Sequence, residues 1–233
     1  ITINSIKTRT MKKCFTSVLL FAAAFSTQLF AQTITATYTR KQLNDNIKAI
    51  YTGEIQDTLT YKQESTHPPT IYSYVYSNGK SLTTMTDDGG FSKSSDPSRN
   101  YTVIAPTVEI YFKDTPKNRF HQEWVMEDKP DILVSELTNY NWKVTKEKST
   151  IAGYKCVKAT GSLGQYKIEA WFANDIKISD GPTRFSGLPG LIVKVRVDDI
   201  YEIVASNIKI TNQTVAVNDP GEKGSTQPFL EKH

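Results

Sequence analysis

The sequence predicts a mainly-β protein: an antiparallel sheet of hairpins, arranged as a curled sheet, half-barrel or sandwich, with little helix. Three observations carry that prediction. The chain is rich in Thr, Tyr, Val and Ile, which suit a pleated, half-buried surface. Apolar residues recur with a period of two in several separate windows. Turn residues such as Asn78-Gly79 and Asp198-Asp199 stand between those windows, as hairpins require. A sheet with one apolar face needs that face covered, which curling or a second layer would do.

In chain order, Arg40 to Ile50 is the one stretch that suggests a short helix. Ile71 to Tyr76 puts Tyr72, Tyr74 and Tyr76 on one face, and Lys80 to Thr86 returns after Asn78-Gly79 as a second strand. Asp87 to Asn100 is a polar Gly/Ser/Asp loop. Glu123 to Met126 and Ile132 to Leu137 flank a turn at residues 127–131. Gly153 to Ala159 is a strand containing Cys156. It pairs with Tyr166 to Phe172 through a turn around Ser162-Leu163-Gly164. Leu191 to Val197 alternates with Leu191, Val193, Val195 and Val197 inward and Lys194 and Arg196 outward. Tyr201 to Ala205 continues after Asp198-Asp199.

The N-terminal residues suggest export. Lys12 and Lys13 follow Met11, residues 15–25 are mostly apolar, and Ala31 stands where a signal peptidase needs a small residue. Residues 11–31 are therefore expected to be a signal peptide cleaved after Ala31, leaving no transmembrane anchor. Residues 1–10 precede Met11 and are expected to be an over-extended reading frame. A single β domain is expected over 32–212 and a polar tail, truncated or loosely held, over 213–233. The first 31 residues hold Lys7, Arg9, Lys12 and Lys13 and no acid. Removing them takes Lys+Arg from 28 to 24, equal to Asp+Glu at 24. A neutral domain lacks the basic face a nucleic-acid partner requires.

Several spaced pieces between about Arg119 and Val197 resemble one family. They are Trp142, Ile151-Ala152-Gly153-Tyr154-Lys155-Cys156, Ala170-Trp171-Phe172, Ser179-Asp180-Gly181-Pro182 and Gly187-Leu188-Pro189-Gly190-Leu191-Ile192. Together they resemble the GLPGLI family of exported bacterial proteins. That resemblance implies a secreted or periplasmic protein of a Gram-negative envelope and carries no established activity. Gln165 and Lys177 depart from the pattern, standing where the family would have an arginine and a proline.

Read physically, Gly187, Pro189 and Gly190 form a tight corner, with Gly181-Pro182 a second one nearby. Leu188, Leu191 and Ile192 then enter the core. The corner either fixes strand register or offers freed N–H groups as a ligand cradle. Tyr72, Tyr74, Tyr76 and Trp171 form a candidate aromatic binding face, against the alternative that they fill the core.

No enzyme chemistry stands out. His67, His121 and His233 have no paired spacing, so no metal site or cofactor is expected. Gly161-Ser162-Leu163-Gly164 is one residue short of a nucleophile elbow. Cys156, the lone thiol after cleavage, is read as a buried small residue. Asp175, Asp180, Asp198 and Asp199 read as turn acids. The expectation is a non-enzymatic envelope binding module for an apolar small molecule or an envelope protein. A periplasmic hydrolase with a site assembled from distant residues is the alternative.

Overall fold

In the computed structural model the described residues are 32–43, 69–87, 94–96, 101–103, 108–126 and 129–221. The start of the chain, residues 44–50 of the expected helix and the last twelve residues lie outside them.

The strands form two meanders. The first contains β1 (Thr33–Gln42), β2 (Thr70–Ser77), β3 (Lys80–Asp87), β6 (Val108–Asp114), β7 (Arg119–Met126) and β8 (Lys129–Ser135). Two short strands, β4 (Ser94–Asp96) and β5 (Tyr101–Val103), pair separately between β3 and β6. The second meander is β9 (Lys143–Ile151), β10 (Tyr154–Leu163), β11 (Tyr166–Ala173), β12 (Leu191–Val197) and β13 (Tyr201–Thr211). Antiparallel pairing of β1 with β13 joins them into one eleven-stranded sheet, ordered β8-β7-β6-β3-β2-β1-β13-β12-β11-β10-β9.

The hairpin signals are realised where the backbone demands them. Asn78 and Gly79 both have positive φ, at 51° and 78°, the two-residue geometry that matches strand twist. Asp198 turns the chain with φ 42°, and its carboxylate accepts from Lys167 N at 3.2 Å. Strand β8 begins at Lys129, inside the segment expected as a turn. Arg40 to Gln42 belong to β1, and the expected loop at Asp87–Asn100 contains β4.

No helix occurs among the described residues, and every pairing in the sheet is antiparallel. The sheet is open, since β8 and β9 do not pair with each other, and β4 and β5 are too small to make it a sandwich. The chain from Ser135 to Lys143 nevertheless connects those two edges. Its eight residue steps reach at most about 29 Å, whereas ten flat strand spacings cover about 48 Å. The edges therefore stand closer together than a flat sheet would hold them.

Each face receives its own cover. The inner face carries Ile34, Ala36, Tyr38, Tyr72, Tyr74, Ala170, Phe172, Val195 and Ile203, all buried. Residues 174–190, between β11 and β12, fold over it with Ile176, Ile178, Phe185 and Leu188 buried against the sheet. The outer face of β3 and β6 buries Leu82, Ile110 and Phe112 under Val217. The expected polar tail thus buries Val217 and Asp219, while residues 212–216 stay exposed. The β11–β12 register shifts between Trp171 and Phe172, whose partners are Lys194 and Ile192, so that Val193 is the extra residue in β12. This lets Leu191, Ile192 and Val193 all be buried, where strict alternation predicted every second residue.

Candidate functional site

Residues 174–190 form the densest concentration of polar partners on the inner face. Their own backbone bonds shape them: Ile176 N donates to Ala173 O, Phe185 N to Pro182 O, Gly187 N to Ser179 O and Leu191 N to Ile176 O. Gly190 passes so close to β11 that an added Cβ would lie 2.4 Å from Ala173 O. No side chain fits there.

A buried ion pair ties this segment to β6. Lys113 Nζ lies 2.6 Å from Asp180 Oδ1, with both side chains wholly inaccessible. The same ammonium donates to Gly181 O at 2.7 Å and Phe185 O at 2.9 Å, giving it one acceptor for each proton. Burial pulls the Lys113 pKa below its ordinary value, and Asp180 opposes that shift. Tyr38 OH donates to Ile192 O at 2.7 Å. A second cluster centres on Glu109, which accepts from Tyr72 OH at 2.7 Å and Tyr111 OH at 2.8 Å. Arg40 pairs with it at 3.3 Å. Burial is the largest single influence and would lower the Arg40 pKa, but Glu109 together with Tyr72, Tyr111 and Tyr201 makes the net shift upward. Tyr72 and Tyr111 are pushed well up by burial first and by Glu109 second.

A solvent-facing cleft of about 260 Å³ opens where three loops meet. Thr115 and Asn118 come from the β6–β7 turn, Leu137 to Trp142 from the link between β8 and β9, and Ser179, Ser186 and Gly187 from the inner cover. No charged residue lines it. Trp142 Nε1 donates to Ser186 O at 2.9 Å, and Tyr140 OH to Arg184 O at 2.9 Å. The two rings stand 5.0 Å apart at a 31° tilt. Gly161 makes their position possible: an added Cβ would sit 2.7 Å from both the Trp142 ring and Tyr140 O.

The residues singled out by sequence are placed as follows. Gly187 takes a positive φ of 94°, and Leu188, Leu191 and Ile192 are buried. The N–H groups of Gly187, Gly190, Leu191 and Ile192 are bonded to carbonyls of the chain itself, and Gly181 N bonds the Asp180 carboxylate. No free cradle remains at the corner. Pro182 is buried and Pro189 exposed. Tyr72 and Tyr74 lie in the core, with Tyr76 partly buried against it, because the cover occupies the face they line. Trp171 is on the opposite face from them, paired in register with Lys158 and Lys194. Cys156 is buried, its thiol pushed up by burial and bonded to Tyr154 O. His121 is buried against Asp219 at 2.7 Å, so the structure does not pair it with Cys156. Asp198 and Asp199 stand at the last hairpin turn, whereas Asp180, read as a turn acid, is the partner of Lys113. No group of three or more metal-ligating residues occurs among the described residues.

Residues 72–227 match the family model described as N-glycanase peptide, N-terminal domain. The chain belongs to that family. The resemblance to the GLPGLI family is overturned by this match, which runs across the segment that carried it. Its short Gly/Pro words mark a close backbone approach and a buried strand start, and local geometry of that kind does not define a family. Two solved structures of PNGF-II, in a C2 and a P21 space group, are similar to the chain at 20% and 19% identity. Each match covers 81% of this chain with TM-scores of 0.47 and 0.48. The chain spans 29% of the length of those proteins. No curated protein matches it. Among the described residues no helix is long and apolar enough to cross a membrane.

Proposed function

We propose that this chain is an exported, non-catalytic recognition domain that binds a glycoprotein. The observation that carries this reading is the contrast between its charged groups and its open surface. A general acid or base must reach the proton it moves. Lys113 and Asp180 are sealed from solvent and spent on each other, so they suit a structural role. The solvent-facing cleft presents uncharged polar and aromatic groups instead. Membership of an N-glycanase N-terminal domain family supports a glycan-bearing partner. The basic, apolar and small-residue succession through Ala31 supports export. Of the two partner classes expected from sequence, the protein partner is the better supported. An apolar small molecule would need the inner face, where Phe185, Ile176 and Leu188 are already packed.

The test uses the full chain exported and processed by a bacterial host. Its affinity is measured for a glycoprotein bearing high-mannose N-glycans and for the same protein stripped of them. We expect about tenfold tighter binding to the glycosylated form, a difference near 1.4 kcal/mol, and no glycan release. Equal affinity, or no binding, would overturn the glycoprotein reading. Released glycan would establish the hydrolase alternative in its place.

A further inference from the structure

Resting on the glycoprotein reading, we infer that the cleft between Trp142, Asn118 and Asn139 is a subsite for one neutral sugar ring. Its lining is the first argument. Thr115, Asn118, Asn139 and Ser179 are exposed and uncharged, and the cleft contains no Lys, Arg, Asp or Glu. A hydroxyl-rich ligand needs donors and acceptors side by side, which amide and hydroxyl side chains supply. The side-chain polar atoms of Thr115, Asn118 and Ser179 make no hydrogen bond among the described residues. Asn139 uses its carbonyl oxygen on Asn141 N at 2.9 Å and retains its amide donors. An ionised ligand would meet no opposite charge here.

The aromatic wall is the second argument. Trp142 is partly exposed, and its ring is held by the bond to Ser186 O and by contact with Gly161. Binding against a fixed ring costs little side-chain entropy, and indole combines an apolar face with a wet rim. Ser162 N donates to Tyr140 O at 3.0 Å, anchoring the same wall to β10. Size is the third argument. The cleft measures about 260 Å³, below the ~300–1,000 Å³ usual for drug-sized ligands. That volume suits one ring, with the neighbouring units of an oligosaccharide in solvent.

The probes are N,N′-diacetylchitobiose and mannotriose, titrated into the isotopically labelled full chain. We expect one of them to shift the Trp142 indole N–H and the Asn118 and Asn139 side-chain amides, saturating in the millimolar range. Asn118→Ala and Asn139→Ala, both at exposed positions, should each weaken that binding about fivefold, the loss of one hydrogen bond, while the protein stays folded with a small drop in Tm, because Asn118 holds a φ of 50° and Asn139 bonds Asn141 N. Trp142 is left intact because it also packs the link. If neither sugar moves these signals while the glycosylated partner still binds, the subsite is wrong and the domain reading survives. If neither sugar nor glycoprotein binds, both fall. Shifts that persist undiminished in both alanine variants would place the sugar elsewhere and overturn the subsite.

Discussion

The sheet has two covers, and they are fastened differently. The inner cover, residues 174–190, is held at both ends by β11 and β12 and pinned at its middle by Lys113–Asp180, with no solvent at the pair. The outer cover, residues 212–221, is fastened by Val217 over Leu82, Ile110 and Phe112 and by Asp219. Asp219 meets His121 Nδ1 and Arg119 Nη2, each at 2.7 Å, with the Arg119 side chain 40% exposed. An ion pair out of water is costly to form and more costly to half-remove. One at a wet margin contributes little in either direction. The inner cover therefore has a single tolerated arrangement, whereas the outer one rests mainly on apolar contact and on polar bonds at a partly wet margin.

Alkaline pH should separate the two most widely. Tyr38, Tyr72, Tyr74, Tyr111 and Tyr140 are all on the inner side, and burial is the first cause raising each above 10.0. A folded pKa above the unfolded one gives stability that is complete below about pH 10 and lost as pH rises beyond it, by up to about 1.4 kcal/mol per group per pH unit. Lys113 acts in the opposite sense, because its lowered pKa makes the folded form the poorer proton binder as pH approaches 10.5. Five groups outweigh one. Denaturant midpoints measured across this range should fall steeply, with part of the tyrosinate absorbance appearing only on unfolding. Complete tyrosine ionisation in a still-folded protein would break the comparison.

Lys113→Met comes next. It leaves Asp180 buried without its cation and should cost about 3–5 kcal/mol. Adding Asp180→Leu should recover most of that loss in denaturant melts, and a double variant no better than the single would show that the pair is not the pin. Asp219→Ala is the smallest of the three, at about 1–3 kcal/mol. It leaves the His121 ring buried with Nδ1 bare, and Nε2 already has no partner among the described residues. Hydrogen exchange should quicken in residues 212–221 and stay unchanged in 174–190. Equal loss in both covers would mean that they are coupled through the sheet.

Legibility followed the same division. The β2–β3 hairpin and β10 to β13 were readable because alternation and turn chemistry agree there. Strand β6 was not, since Glu109, Lys113 and Asp114 are buried and break the apolar period. Strand β9 was hidden for the reverse reason: as an edge strand it is exposed along most of its length. The Lys113–Asp180 pair carries no local signal, as its members are far apart in sequence and Asp180 has the surroundings of a turn acid. The cleft escaped similarly, because Asn118, Trp142 and Ser179 meet only through tertiary packing. Trp142 was noticed, but as one piece of a family resemblance.

Pairing of Thr33 with Thr211 and of Gln42 with Tyr201 has a consequence in time. Within each meander several pairings join adjacent strands through tight turns, as β2–β3, β6–β7, β9–β10, β10–β11 and β12–β13 do, and such local closures are fast. Their junction at the centre of the sheet unites the first described strand with the last, and no local hairpin nucleates it. Until β13 has formed, β1 presents a row of unsatisfied backbone groups. The central seam of the sheet is therefore the last to close, and the interval before closure is when the chain is most open to pairing with the wrong strand.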